Sequence, residues 1–260
     1  MLCCSVLELA LLTSPLAAQT GAEARTSVRL FGGTALNQPL LWSIPRQPIL
    51  VPGTQAAPQY DTLALTRSIA PGLTVGVAFT HFPTSHLGLA GRLAYLGLER
   101  ASACSGVYYN GVQRDNEGLC ASIQGQRRTL GLVVLDLQGV ARMMPRGAVS
   151  PSLHAGVTAA TYTASTVYVE GVYPNGIRIV IDDPTPGSIA TGATLGLTLT
   201  TGSRGYQLAF DLSDTWLGFP VVAGPANATA HAPTTTRYTR HTVFTLGLDF
   251  VLDGKRGRRY

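Results

Sequence analysis

The chain has 260 residues, which is enough for one substantial domain or two small ones. Only 13% of its residues are charged, its net charge is +5 and its mean hydropathy is +0.20. Soluble domains carry about 25% charged residues, so the composition argues against an ordinary cytosolic enzyme. Basic residues are scattered or gathered at the C-terminus without interleaved stacking aromatics, which argues against nucleic-acid binding.

The N-terminal segment has the features of a secretory signal peptide. A mostly apolar core covers 6–12, and the small residues that follow it end at Ala18. We therefore predict a signal peptide over 1–18 and an exported domain over 24–254. A buried N-terminal helix is the alternative interpretation. The basic C-terminal tail, 255–260, is interpreted as a solvated end.

Alternation of apolar residues with small or polar ones recurs along the exported domain and predicts β-strands. Over 73–81 the odd positions begin Leu, Val, Val, Phe and the even ones are Thr, Gly, Ala, Thr. Similar patterns cover 188–200, 206–213 and 243–252. The polar face of a soluble β-protein would normally be rich in Lys, Glu and Arg. Small residues suit the interior of a narrow barrel instead, with the bulky apolar face toward lipid.

Eight strands are predicted, joined alternately by short and long connections. In chain order they cover 26–34, 73–82, 86–98, 127–141, 150–163, 187–201, 205–217 and 240–252. The short connections carry Pro, Gly or Ser turn residues and are Pro83–Ser85, Met143–Val149 and Gly202–Gly205. Short turns at one end and long loops at the other are typical of outer-membrane barrels. The expected fold is all-β: a closed, antiparallel, up-and-down transmembrane β-barrel of about eight strands.

One segment leaves the strand count open between eight and ten. Residues 60–69 alternate weakly, and 70–72 resemble a tight turn. The segment is either an extension of the second strand with a bulge at Pro71, which we favour, or half of an extra hairpin. A separate hairpin is predicted within 167–181, with its turn at 173–176.

Two cysteines remain once the signal peptide is excluded. Cys104 and Cys120 lie in a polar segment without clear strand alternation. An even pair around one loop of an exported protein predicts a disulfide. Zinc would need further ligands, and the segment has no His and no second Cys pair. We predict the disulfide, and neither a metal site nor a cofactor.

Several charged residues fall on or near the predicted inward face: Arg92, His154, Asp211, Asp214 and Asp249. An isolated buried charge costs several kcal/mol, so we expect a paired network that plugs the lumen. Ser152 shares a face with His154 but lies near a short turn, at the wrong end for external substrates. We therefore predict no catalytic residues.

The last strand resembles the C-terminal targeting signal of outer-membrane barrels, which has the form polar–x–Gly–x–x–aromatic–x–apolar. Thr245, Gly247, Phe250 and Leu252 occupy its positions, and eight residues follow them. With the leader and the alternating loop lengths, the mature chain resembles the OmpA/OmpX-like small outer-membrane barrels. This resemblance implies an integral outer-membrane location, contact with outer-membrane lipid and assembly by the barrel-assembly machinery.

The expected function is that of a non-enzymatic barrel with a largely filled lumen and a structural, adhesive or surface-binding role. The alternatives are a lipid-modifying outer-membrane enzyme, a narrow pore and a soluble lipocalin-like binding barrel. A lipocalin-like barrel points its apolar side chains inward. The direction in which those side chains face therefore separates it from a membrane barrel.

Overall fold

A computed structural model describes most of the predicted barrel. The residues it describes are 25–51, 56–57, 59–107, 120–121, 123–124, 127–145, 147–162, 166–169, 179–182, 189–203, 205–225 and 234–252. The predicted signal peptide, the basic tail and the predicted hairpin turn at 173–176 lie outside these residues. Among the described residues, no helix is both long and apolar enough to cross a membrane.

The described chain forms eleven strands. They are β1 (Thr26–Ala35), β2 (Leu40–Leu50), β3 (Tyr60–His81), β4 (Leu87–Val107), β5 (Arg127–Arg142), β6 (Val149–Tyr162), β7 (Thr166–Val169), β8 (Ile179–Asp182), β9 (Ile189–Ser203), β10 (Tyr206–Val222) and β11 (Thr234–Val251). The pair β7–β8 is a separate antiparallel ribbon between β6 and β9. This ribbon corresponds to the predicted hairpin.

Eight of these strands close into a ring of antiparallel pairs. The order around the ring is β1, β3, β4, β5, β6, β9, β10 and β11, and β11 pairs with β1 again. The connections β3–β4, β5–β6 and β9–β10 are short and define what we call the short-turn end; the opposite end is the long-loop end. Gly202 and Gly205 flank the β9–β10 turn with φ of 147° and 102°, values that favour glycine. The predicted up-and-down barrel is confirmed.

The segment 60–69 belongs to β3 and is not a separate strand. Ala70 and Leu73 pair with Glu99 and Gly97 of β4, so β3 holds one extra residue between the two pairs. This arrangement is a β-bulge. An inserted residue reverses the alternation of faces. The odd positions of β3 are therefore exposed on the short-turn side of the bulge and buried on the long-loop side.

β1 and β2 lie end to end along the same edge of β3. β1 pairs with the short-turn half of β3, and β2 pairs with its long-loop half. The sequence prediction missed β2, placing it in a long connection after residue 34. Pro45 and Pro48 interrupt its alternation, and its register with β3 shifts between Ile44 and Gln47. The pairing with β3 is therefore a tertiary property that periodicity does not reveal.

The Asn37 side chain bridges the interruption between β1 and β2. Its Nδ2 donates to Arg240 O at 2.5 Å, and Thr242 N donates to its Oδ1 at 2.8 Å. The amide group thus gives β11 one donor and one acceptor, as the backbone of a neighbouring strand would. The seam between the first and last strands stays hydrogen-bonded past the end of β1.

Bulky apolar side chains cover the outer surface of the short-turn part of the barrel. They lie 41–74% exposed at alternate positions and include Leu73, Val75, Val77, Phe79, Leu89, Leu93, Leu135, Leu137, Leu195, Leu208, Phe210 and Leu246. We call this surface the apolar band. An outward apolar band is the arrangement of a membrane-spanning barrel, and it is the reverse of a lipocalin-like one.

The interior has two halves of different chemistry. The polar half, on the short-turn side, contains buried or partly buried Arg29, Arg92, Asp136, His154, Thr198, Asp211 and Asp249. The long-loop half, which we call the apolar half, contains Trp42, Ile44, Leu63, Leu65, Leu132, Leu217 and Phe219, each at most 3% exposed. The polar side chains of Gln47, Asp61, Arg67 and Arg100 are buried among them. The sequence prediction of a small or polar inward face holds for the first half and is wrong for the second.

Cys104 and Cys120 form the predicted disulfide. Cys104 lies on β4, which continues to Val107, well beyond its predicted end at residue 98. The cysteine segment therefore begins as a strand and not as a loop. The prediction failed there because small residues weaken the contrast between the two faces. Cys104 pairs with Leu65, and its carbonyl accepts a hydrogen bond from Gln124 Nε2 at 2.6 Å.

Candidate functional site

An ion pair joins the first and last strands inside the barrel. Arg29 on β1 lies opposite Asp249 on β11. Arg29 Nε is 2.7 Å from Asp249 Oδ1, and Arg29 Nη2 is 2.9 Å from Oδ2. Two parallel charge-assisted hydrogen bonds give this pair a fixed geometry. Arg29 was not predicted from the sequence as a lumen residue. Its partner is 220 residues away along the chain and becomes a neighbour only when the ring closes.

Three of the predicted lumen charges lie together. Arg92 Nη1 is 3.6 Å from Asp211 Oδ1, and His154 Nε2 is 3.6 Å from Asp211 Oδ2. Thr198 Oγ1 donates to Asp211 Oδ2 at 2.7 Å and lies 3.3 Å from His154 Nδ1. The Arg92 guanidinium also lies over the Phe31 ring, 4.4 Å from its centroid. Asp249, another of the predicted lumen charges, pairs with Arg29 and not with this group.

A carboxylate that the sequence prediction missed lies deeper in the same half. Asp136 Oδ1 accepts hydrogen bonds from Thr158 Oγ1 at 2.5 Å and from Thr194 Oγ1 at 3.4 Å. The two threonine hydroxyls are 2.6 Å apart, and Thr194 is also 2.9 Å from Thr215 Oγ1. The sequence contained the signal for Asp136, because leucines on both sides of it face outward.

Small inward residues make room for the large polar side chains. A Cβ atom added to Gly196 would overlap the His154 imidazole, and one added to Gly247 would lie 2.8 Å from the Arg29 side chain. Either contact would force the polar side chain to move. The small inner face predicted from the sequence is therefore what allows buried ionic groups to fit in a narrow ring.

A cavity of about 60 Å³ lies among these side chains. Residues from several strands line it, including Arg29, Arg92, Gln138, His154, Asp211 and Asp249. Four buried lining atoms have no hydrogen-bond partner among the described residues: Arg92 Nε, Gln138 Nε2, His154 Nε2 and Asp211 Oδ1. A water molecule requires roughly 10–15 Å³ of such space. The cavity therefore has the size and polarity for a few waters and is too small for larger solutes.

The one Ser–His combination considered from the sequence does not form a catalytic pair. Ser152 Oγ donates to Thr198 O at 3.4 Å, while His154 Nδ1 lies near Thr198 Oγ1. Both side chains face the lumen, but Ser152 and His154 are not hydrogen-bonded to each other. In the described part of the chain, no group of three or more His, Cys, Asp or Glu residues could hold a metal ion.

Asp214 lies on the outer surface, contrary to the sequence prediction. The buried positions around it on β10 are odd-numbered, so an even-numbered residue faces outward. Asp214 Oδ2 is 2.5 Å from Arg240 Nη2, and Thr242 Oγ1 donates to Asp214 Oδ1 at 2.6 Å. The outward polar cluster of Asp214, Arg240 and Thr242 lies just past the apolar band.

Two residues of the predicted assembly signal face the barrel interior, and the other two are exposed at the outer surface. Thr245 is buried in the interior and lines the cavity, and Gly247 also faces inward. Phe250 and Leu252 are 40% and 54% exposed near the short-turn end. Recognition of these residues by assembly machinery stays a prediction.

No protein-family model matches this chain, and no curated protein matches it. Among solved structures, it is similar to the outer membrane protein OprG from Pseudomonas aeruginosa, with 11% identity over 89% of this chain and 97% of that one, and a TM-score of 0.46. It is similar to Neisserial surface protein A, with 10% identity over 87% and 96% of the two chains and a TM-score of 0.42. A third match is the outer membrane protein AlkL in DMPC bilayers, with 13% identity over 92% and 95%, and a TM-score of 0.40.

Proposed function

We propose that this protein is an integral outer-membrane barrel of the small OmpA/OmpX-like type, with a lumen closed to solutes and a structural, adhesive or surface-binding role. The observation that carries the closed lumen is the packing of the interior. The apolar side chains named above are almost completely buried, and the cavity among the described side chains of the polar half measures about 60 Å³. A porin, by contrast, has a continuous water-filled channel.

The outer-membrane location is supported by the apolar band and by closure of the ring. Backbone groups facing a bilayer must be hydrogen-bonded within the protein, and a closed barrel is the way in which strands achieve this. The predicted signal peptide and the assembly signal at Thr245, Gly247, Phe250 and Leu252 support export and insertion by the barrel-assembly machinery. The long connections supply the surface for binding, and catalysis is not part of the proposal.

Planar-bilayer recordings test the closed lumen. We expect purified full-length protein, inserted at an amount at which a porin gives stable steps, to give no stable large conductance steps. Such steps from this protein would contradict the closed lumen and favour the narrow-pore alternative.

Cell fractionation tests the location separately. We expect the protein in the outer-membrane fraction and a shift in its migration on SDS gels after boiling, because a folded barrel resists SDS until heated. A soluble barrel would show neither property, and that result would contradict the membrane assignment.

A further inference from the structure

The apolar band contains a furrow on the outer faces of β6 and β9. Its volume is about 680 Å³, within the 300–1,000 Å³ range of ligand clefts. Small side chains such as Ala193 form part of the lining, with Leu137 and Val157 toward one side and Trp216 and Tyr238 toward the other. The outer wall therefore has an apolar depression at its small side chains, and bulky side chains on the neighbouring strands border this depression.

The furrow rises from the middle of the apolar band toward the long-loop end. A row of paired residues runs along it: Leu137 pairs with Val157, Val157 with Ala193, Ala193 with Trp216, and Trp216 with Arg240. The row lies five residues from the short-turn end of β5 and eleven residues from that end of β11. The furrow thus connects the lipid-facing middle of the barrel to a polar margin.

Aromatic and basic side chains meet at the upper end of the furrow. Trp216 and Tyr238 line it there, and such residues are enriched at membrane–water interfaces. Arg240 lies across from Trp216 and two positions from Tyr238 on the same face of β11. Its Nη2 donates to Asp214, and 59% of its side chain stays exposed. Arginine has further N–H groups, so this one can bind an additional anionic group.

We propose that the furrow binds an acyl chain of a membrane phospholipid of net negative charge, with the headgroup phosphate at Arg240. The apolar depression faces the bilayer, where acyl chains are the surrounding molecules. A guanidinium at its interfacial end complements a phosphate in charge and in hydrogen-bond geometry. This inference rests on the proposed membrane location and adds a lipid site to it.

Tryptophan fluorescence in bilayers gives a direct test. The protein has two tryptophans: Trp42 is buried in the apolar half, and Trp216 lines the furrow. Lipids with brominated acyl chains quench a tryptophan that they contact. Quenching by brominated phosphatidylglycerol and by brominated phosphatidylcholine is compared for full-length protein, each lipid being diluted in unbrominated phosphatidylcholine. We expect the anionic lipid to associate about two- to fivefold more strongly, the range for an exposed ion pair.

The exposed arginine can be removed with little risk to folding. Arg240→Gln is expected to bring the preference for phosphatidylglycerol close to onefold. Arg237→Gln removes the same charge from the same strand at another exposed position and should leave the preference unchanged. No preference in the unmodified protein, or an equal preference in both variants, would overturn the assignment of the phosphate to Arg240.

Filling the furrow tests the acyl-chain part. Ala193→Phe is expected to reduce quenching of Trp216 at least twofold, whereas Ala141→Phe, on the outer face of β5 near the short-turn end, should not. Equal quenching in these two variants would overturn the chain site. Heat-modifiable migration is checked first, because failure to insert would contradict the proposed membrane function itself, whereas insertion without lipid preference contradicts only this inference.

Discussion

On the short-turn side of the bulge in β3, the barrel interior consists mainly of ion pairs and hydroxyl groups. On the long-loop side it consists mainly of aromatic and aliphatic side chains, with a few buried polar residues such as Asp61 and Arg67 among them. The outer faces differ in the opposite sense. Leucine, valine and phenylalanine cover the outside around the polar half, but the outward positions of β3 beyond the bulge include Thr62, Thr66 and Ser68. The same wall therefore points its apolar side chains outward at the short-turn end, as a membrane protein does. At the long-loop end it points them inward, as a water-soluble protein does.

This difference shows how the strands of a small barrel can be adapted to lipid along one part of their length and to water along another. Burial of a leucine from water stabilises by about 1.5–3 kcal/mol, but leucine gains nothing by leaving lipid for an equally apolar interior. In β3 the bulge exchanges the two faces at the boundary. In β10 the inward positions stay odd-numbered, and the residue types change from Asp211 and Ser213 to Leu217 and Phe219. An inserted residue in β3 and a change of residue types in β10 thus both change the inward face from polar to apolar.

The apolar half is expected to be the more sensitive to truncation. Leu132→Ala should lower the free energy of unfolding by about 3–4 kcal/mol, because Leu132 is fully buried and a cavity would remain. Leu135→Ala, on the lipid-facing side of the same strand, should cost clearly less, because lipid chains can occupy the space. Urea unfolding in lipid vesicles measures both values. Equal losses of unfolding free energy in the two variants would contradict the distinction between a leucine buried in the interior and a leucine that faces lipid.

The polar half should be sensitive to loss of charge partners. Asp249→Asn leaves Arg29 without its carboxylate and is expected to lower the free energy of unfolding by about 2–3 kcal/mol, below the usual value for a buried pair because Arg29 lines the cavity. Asp214→Asn breaks a partly exposed pair with Arg240 and should cost under about 1 kcal/mol. The same unfolding assay applies. A larger loss for Asp214→Asn would reverse this order.

The junction between the two halves can be tested at Asn37. Asn37→Ala removes two hydrogen bonds to β11 and should lower the free energy of unfolding by about 1–2 kcal/mol. Amide hydrogen exchange should accelerate at Thr242, the donor to Asn37 Oδ1. Asn37→Asp keeps the acceptor and should protect that amide better than alanine does. Unchanged exchange at Thr242 in the alanine variant would show that Asn37 does not hold the seam.

Alternation in the short-turn halves of the strands was readable from the sequence because the bilayer imposes it locally. Every second residue must be apolar where a strand faces lipid, and the other residues must be small enough for a narrow ring. The same pattern placed Arg92, His154, Asp211 and Asp249 on the inward face. The disulfide between Cys104 and Cys120 likewise followed from the count and spacing of cysteines.

Other features were decided only by the tertiary structure. The Arg29–Asp249 pair joins residues at opposite ends of the chain, and β2 is recognisable as a strand only beside β3. The apolar furrow depends on the register of the five strands that line it. Periodicity records the environment of each residue along its own strand. Contacts between strands distant in sequence are set by closure, which no local segment determines.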